Sequence, residues 1–270
     1  MVVQHNLQAA NTNRMLGQNV KAVSKSTEKL SSGYQVNRAA DDAAGLSISE
    51  KMRNQIRGIN QAVKNSEDGV SLIQTAEGNM NEIHSILQRM GELATKAAND
   101  VNASDDRQAI DDEMTQLRDE INSIAKKAAF NGTKLLTGSF KDKQLQVGAV
   151  SGENMSITIS SMTATSIGVN ALKVSSHKLA ASAMTAISKA IKDVSTARSK
   201  LGAIQNRLNY TINNLENYSE NLTAAESQIR DTDMATEMTN YTKNNILQQA
   251  AQSMLAQSNQ STQGVLSLLQ

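Results

Sequence analysis

The chain has 270 residues with 2% aromatics, no cysteine, no proline, no tryptophan and a formal net charge of +1. That balance offers no field for a phosphate backbone, so nucleic acid is not an expected partner, and without cysteine neither a disulfide framework nor thiolate chemistry is available. No apolar run reaches the roughly eighteen residues of a membrane span, so membrane insertion is not expected, and the amino end lacks the basic, apolar and small-residue succession of a cleavable signal.

The first expected element is a weakly amphipathic helix from about Asn6 to Leu30, with Leu7, Met15, Leu16, Val20, Val23 and Leu30 as its apolar positions. Ser31, Ser32 and Gly33 end it, because glycine takes the left-handed cap conformation without a Cβ penalty. Asp41 and Asp42 precede a much longer helix from Ala43 to about Ala98 or Asn99. Carboxylates at that position accept from unpaired first-turn amides and favour the positive helix end. Along this helix Met52, Ile56, Ile59, Val63, Val70 and Ile73 hold one register, and Ala76, Met80, Ile83, Leu87, Met90, Ala94 and Ala97 continue it after one slip. A polar turn over 102–106, with Ser104 as the expected cap, leads into a third helix carrying Ile110, Met114, Leu117, Ile121, Ile124 and Ala128.

Asn131–Gly132 marks a tight turn. Between Leu145 and Ile167 the period changes to two, with Met155, Ile157 and Ile159 alternating with polar residues, which predicts one or two hairpins. Helix resumes near Ser176 with a stripe of Ile187, Ile191, Val194, Ala197, Leu201, Ile204 and Leu208, followed by Ile212, Leu215, Leu222 and Ile229. The last part, Thr232 to Gln270, carries Met234, Met238, Ile246, Leu247, Ala251, Met254 and Leu255, then Val265, Leu266, Leu268 and Leu269. Burying an Ile or Leu contributes roughly 1.5 to 3 kcal/mol, whereas ordering one residue's backbone costs about 1 to 2 kcal/mol. A long helix with one stripe therefore needs a partner. The expected fold is mainly α, a long antiparallel helical bundle or coiled coil built from both chain ends, with a small β-hairpin region in the middle.

Residues suited to catalysis are scattered. His5, His84 and His177 stand alone, and no phosphate-binding glycine loop or nucleophile elbow occurs. The pairs Asp41–Asp42 and Asp111–Asp112 point to different sides of a helix and are read as caps or solvated faces. Met52, Met80, Met90 and Met114 fall in the same stripes as Ile and Leu and are read as core fillers. No catalytic residue, metal or cofactor is expected, and the chain is not expected to be an enzyme.

Two sets of motifs remain. Leu30-Ser-Ser-Gly33, Val36-Asn-Arg38, Ala40-Asp-Asp-Ala-Ala-Gly-Leu-Ser-Ile-Ser-Glu-Lys-Met52 and Ile73-Gln-Thr-Ala-Glu-Gly78 resemble the amino-terminal signature of bacterial flagellins. Leu201-Gly-Ala-Ile-Gln-Asn-Arg-Leu208, Glu220-Asn-Leu-Thr-Ala-Ala-Glu-Ser-Gln-Ile-Arg-Asp-Thr-Asp-Met-Ala235 and Met254-Leu-Ala-Gln257 resemble the carboxyl-terminal one. The resemblance implies a short form without large variable outer domains, divided into 1–40 and 232–270 as an innermost coiled coil, 41–138 and 173–231 as the long helices of an inner domain, and 139–172 as its hairpin region.

The implied function is a structural subunit that polymerises into the flagellar filament used for motility; the alternative is a hook-junction or cap-like accessory protein. The implied partners are further copies of the chain, the flagellar export apparatus and its chaperone, and hook-junction and cap proteins. A host innate immune receptor and antibodies complete them. The implied location is outside the cell, on the bacterial flagellum. Assembly is assigned to Leu7, Leu16, Val20, Leu247, Met254, Leu255, Val265, Leu266 and Leu269. The receptor patch is assigned to Gln88, Arg89, Glu92, Leu93 and Glu113. Many relatives have Arg where this chain has Gly91, Gln in place of Lys96, and proline near Ser261–Thr262.

Overall fold

The computed structural model describes residues 6–268, with side chains through 261. Among the described residues it contains α1 (Leu7–Ser32), α2 (Ala43–Ala97), α3 (Ser104–Lys127), α4 (His177–Arg230) and α5 (Met234–Leu268). Four short strands lie between α3 and α4: β1 (Ala129–Phe130), β2 (Thr133–Lys134), β3 (Lys143–Gln146) and β4 (Asn154–Ile157). The chain divides into two compact units, one made of residues up to Asn54 with those from Asn221, the other of Gln55–Glu220.

In the first unit α1 packs against α5. The two run antiparallel: Asn6 Nδ2 donates to the Ser258 carbonyl at 3.2 Å, while at the other end Thr232 N donates to the Gly33 carbonyl at 2.9 Å. The partly or fully buried positions on α1 include Ala9, Thr12, Leu16, Asn19, Val23, Ser26 and Leu30, spaced by three and four residues. This is the spacing of a coiled-coil seam, but three of the seven side chains are polar. Asn6 caps the start of α1 by accepting from Ala9 N at 2.9 Å, and Gly33, at φ 76°, closes its end by donating to the Lys29 carbonyl. The left-handed backbone that the Ser-Ser-Gly sequence predicts is therefore present.

The second unit holds the apolar core. Ile73, Met80, Ile83, Leu87 and Met90 from α2 meet Ile110, Met114 and Ile121 from α3 and Ile187, Val194, Leu201 and Leu208 from α4. Ala180, Ala183 and Ala190 give α4 a narrow buried edge, which suits a thin bundle with almost no aromatic filling. The β1–β2 hairpin turns at Asn131 and Gly132, both at positive φ (46° and 77°), the backbone that two-residue turns of the Asn-Gly type require.

Two sequence expectations change here. The ladder of the second hairpin runs from Lys143 opposite Ile157 to Gln146 opposite Asn154, so it begins before Leu145 and stops well before Ile167. Beyond Ile157 the chain is irregular, yet Ile159, Met162, Ala164 and Ile167 are still buried in the core cluster, at steps of two and three residues rather than in strict alternation. Apolar burial thus outlasts the strand, while the period of two ends at Ile159. Ser104 is not the cap of α3 but its first helical residue, with its hydroxyl donating to Asp105 at 3.3 Å. Ala103 holds the cap position, and its N–H donates back to Asp106 Oδ2 at 3.4 Å.

Candidate functional site

Helices α1 and α5 pair without forming a dry core. The buried side chains on these two helices, among those described, are Ser26 and Ser258, both hydroxyls, and the one buried apolar side chain described in this unit is Val36. Meanwhile Leu7, Met15 and Val20 on α1, and Ile246, Leu247 and Met254 on α5, are exposed. On α5 the apolar groups occupy more than one face: Ala251 and Leu255 are partly covered, whereas Leu247 and Met254, seven residues apart, share an uncovered face. Of the assembly candidates, Leu7, Val20, Leu247 and Met254 are therefore solvent-facing, and Leu16 and Leu255 are half-buried. Val265 and Leu266 lie in α5 beyond the described side chains, and Leu269 lies outside the described residues.

The same unit contains a polar joint that the apolar pattern does not reveal. Tyr34 and Asp231 form an isolated antiparallel bridge, with Gln35 N donating to the Arg230 carbonyl at 2.7 Å. The Arg230 guanidinium lies over the Tyr34 ring and donates through Nη1 to Glu50 at 2.9 Å and to Ser49 Oγ at 3.3 Å. Ser49, itself buried, donates to Glu226 Oε1 at 3.1 Å. Sequence reading missed this cluster. The available signal was that Tyr34, Ser49, Glu50, Glu226 and Arg230 sit within or beside the quoted motifs but outside every apolar stripe.

Two carboxylates order the ends of this joint. The Lys25 ammonium, 2.9 Å away, holds the Asp41 carboxyl below the usual carboxylate range, helped by the backbone N–H of Arg38. Asp233 precedes α5 and accepts from the Thr236 hydroxyl at 2.8 Å, then from the N–H groups of Thr236 and Ala235, and these three donors lower its pKa as well. Asp42, by contrast, caps α2 directly by accepting from Gly45 N at 2.9 Å.

In the second unit Arg89 bridges α2 and α3. Its Nε and Nη2 both donate to Glu113 Oε1, at 3.1 and 2.9 Å, and its Nη1 donates to Glu92 Oε2 at 3.1 Å. Glu113 first, and then Glu92, raise the Arg89 pKa further. Gln88, Arg89, Glu92 and Glu113 are exposed, whereas Leu93 is only 3% exposed and packs into the core. Arg89, Glu92, Leu93 and Glu113, but not Gln88, border an open groove of about 470 Å³ that also includes Lys96, Asp106 and Ile110. Gly91 is half-buried, and a Cβ there would stand 3.7 Å from Ile187 Cγ2, ordinary contact.

No grouping of three or more His, Cys, Asp or Glu suited to a metal ion occurs among the described residues, and none of the described helices is long and apolar enough to cross a membrane. His177 Nδ1 is 2.6 Å from the Ala98 carbonyl at the end of α2, His84 lies within α2, and His5 is outside the described residues.

Residues 3–141 match the bacterial flagellin N-terminal helical region and residues 184–269 the bacterial flagellin C-terminal helical region. The chain is 54% identical to a flagellin of Halalkalibacterium halodurans over 271 residues, covering all of both chains. It is 48% identical to a flagellin of Bacillus subtilis over 305 residues, again covering all of both. Among solved structures it is similar to Bacillus cereus flagellin, with a TM-score of 0.51 and 33% identity over 56% of this chain and 88% of that one. A putative flagellar hook-associated protein of Vibrio parahaemolyticus shares the fold, with a TM-score of 0.59 at 16% identity over 71% of this chain and 100% of that one.

Proposed function

The chain belongs to the bacterial flagellin family and is a structural subunit of the flagellar filament used for motility, and from that membership we propose how it assembles. The outward faces of α1 and α5, carrying Leu7, Val20, Leu247 and Met254, are buried against the corresponding helices of neighbouring subunits. The contacts are heterologous and their rotation does not close, so they repeat into a helical fibre. One observation carries this reading: the α1–α5 pair buries serines and exposes leucine, valine and methionine. Coverage by another copy of the chain removes that surface from water at roughly 25 cal/mol per Å². The role is mechanical and needs no catalytic group.

The subunit leaves the cell unfolded through the dedicated export apparatus, accompanied by its chaperone, and is secreted to the growing flagellum. There it meets hook-junction and cap proteins. The sparse core of the α1–α5 pair and the absence of cysteine suit a chain that must unfold for passage and refold without covalent closure. In an animal host, the exposed patch of Gln88, Arg89, Glu92 and Glu113 is the surface engaged by the innate immune receptor and by antibodies, with Leu93 holding the helix beneath it. Electron microscopy of purified protein, seeded or concentrated, tests the assembly reading: long fibres with a central channel are expected, and only closed oligomers or monomers would overturn it.

A further inference from the structure

Among the described methionines two groups stand apart, the covered ones in the core of the second unit and those on the outward faces of α1 and α5; Met184 on α4, 37% exposed, belongs to neither. Met80, Met90 and Met114 are 0, 1 and 3% exposed in the core of the second unit. Met15 on α1 and Met234, Met238 and Met254 on α5 are 45 to 54% exposed, on the helices that lack a dry core of their own. A thioether is apolar and adaptable enough to pack against a neighbouring copy, but it is also a target for peroxide.

We propose that Met15, Met234, Met238 and Met254 are oxidation sites of the unassembled subunit and that their conversion to sulfoxides blocks polymerisation. The inference rests on the assembly role given to α1 and α5. In each event the thioether sulfur attacks one oxygen of hydrogen peroxide. The O–O bond breaks, an S–O bond forms, and the departing hydroxide takes the proton of the hydroxyl now on sulfur to leave as water and the sulfoxide. The sulfur loses two electrons and the peroxide gains them. The product places a polar, chiral sulfoxide on a face that must become dry, so the oxidised subunit loses affinity for its neighbours while its own core, with its methionines covered, keeps its packing.

Full-length monomer treated with hydrogen peroxide tests this by peptide mass spectrometry and by the critical concentration for polymerisation. Met15, Met234, Met238 and Met254 should oxidise roughly tenfold faster than Met80, Met90 and Met114, and the critical concentration should rise by roughly tenfold, whereas oxidation at Met184 alone, on α4, should leave it unchanged. Enzymatic reduction of the sulfoxides should restore polymerisation, and the combined variant M15L/M234L/M238L/M254L should keep its own critical concentration after peroxide. The proposal is overturned if fully oxidised monomer polymerises at its original critical concentration, if reduction back to thioethers restores nothing, or if the leucine variant loses as much as the parent. Preformed filaments separate this failure from failure of the assembly reading. Protected methionines in the filament, with oxidised monomer still polymerising, sink only the oxidation proposal. Methionines oxidised as fast in filaments as in monomer remove α1 and α5 from the interface.

Discussion

The Arg230 guanidinium lies 4.7 Å from the centroid of the Tyr34 ring, so the last residue of α4 stacks on the segment that joins α1 to α2. The same side chain reaches Glu50, and its backbone carbonyl accepts from Gln35 N, so one residue links three stretches of the first unit. A partly desolvated cation on an aromatic face contributes about 1 to 2 kcal/mol, and a hydrogen bond to a charged partner about 1.5 to 3 kcal/mol.

Arg230→Ala should therefore loosen this joint by about 2 kcal/mol. Arg230→Lys should recover only part of it, because an ammonium cannot stack on Tyr34 and fork to Ser49 and Glu50 together. Amide exchange at Gln35 and Thr232 reads the effect directly; unchanged protection in the Ala variant would show that the backbone bridge holds without the side chain.

Acid should weaken the contacts of Asp41 and Asp233 in the first unit. Asp41 and Asp233 have pKa values lowered in the folded chain by Lys25 and by Thr236. A carboxyl whose folded value is depressed contributes stability that is fully present above its unfolded pKa of about 3.9 and is lost as pH falls through the lower folded value. Exchange protection at Ala235 and Thr236 should hold from neutrality to about pH 4 and decline below it. In Asp233→Asn the step at those two amides should flatten; an identical acid profile would remove Asp233 as its cause.

Glycines within α2 distinguish two kinds of close approach. A Cβ at Gly58 would stand 2.9 Å from Ala149 Cβ and 3.4 Å from Ala149 Cα, so the β3–β4 connection itself would have to move. At Gly69 the nearest atom, 2.5 Å away, is the terminal methyl Cδ2 of Leu145, which can rotate aside. Replacing a mid-helix glycine by alanine gains about 1 kcal/mol of helix propensity. Gly69→Ala should consequently be near neutral, while Gly58→Ala should destabilise by about 1 kcal/mol net, since overpacking costs about 1 to 3 kcal/mol. Urea melts of both variants decide it, and a stabilised Gly58→Ala would show that the connection yields freely.

For assembly, the double variant Leu247→Ser with Met254→Ser should fail to polymerise while its monomer keeps the parent helical circular dichroism. Each side chain is exposed in the single chain, and each contributes roughly 1.5 to 3 kcal/mol only when a neighbouring copy covers it. Filaments of normal yield would place the interface elsewhere.

Receptor binding should fall in Arg89→Ala and in Glu113→Ala, because each removes a charged group from the exposed patch and releases the other from the two N–H donations that converge on Glu113 Oε1. Gly91→Arg should strengthen binding, since position 91 lies beside the patch and its Cβ meets Ile187 only at ordinary contact distance. Titration of matched monomers against the isolated receptor ectodomain checks both. Equal affinity of all three variants with the parent would move recognition away from this face.

The helices were legible because their signals are local. Gly33 and Asn131–Gly132 announce backbone conformations that only a few residues adopt, and the stripe from Ile73 to Ala97 repeats within each pair of turns. Leu93 shows the limit of such reading. It follows the exposed Arg89 by four residues and precedes the buried Ala94 by one, so its position at the edge of the stripe is compatible with either environment. Only the arrival of neighbouring core residues buries it. Ser104 fails for a related reason, since the side chain that answers the first amide comes from Asp106, and chain direction into the turn decides which residue occupies the cap.

Period, capping residues and the excess of small polar side chains by themselves determined that this chain makes long helices too thin to stand alone, because those properties act over four or five residues. Which apolar groups of α1 and α5 face each other, and which are left outward, was decided by tertiary structure. Leu16 and Leu7 are equally apolar in sequence, but the antiparallel seam tied by Asn6 to Ser258 and by Thr232 to Gly33 covers the first and leaves the second exposed. The pairing of Arg230 with Tyr34 and Glu50 was likewise decided by tertiary structure: the motifs mark these residues, but charge and stacking energies depend on distances across nearly two hundred residues of intervening chain that no local pattern encodes.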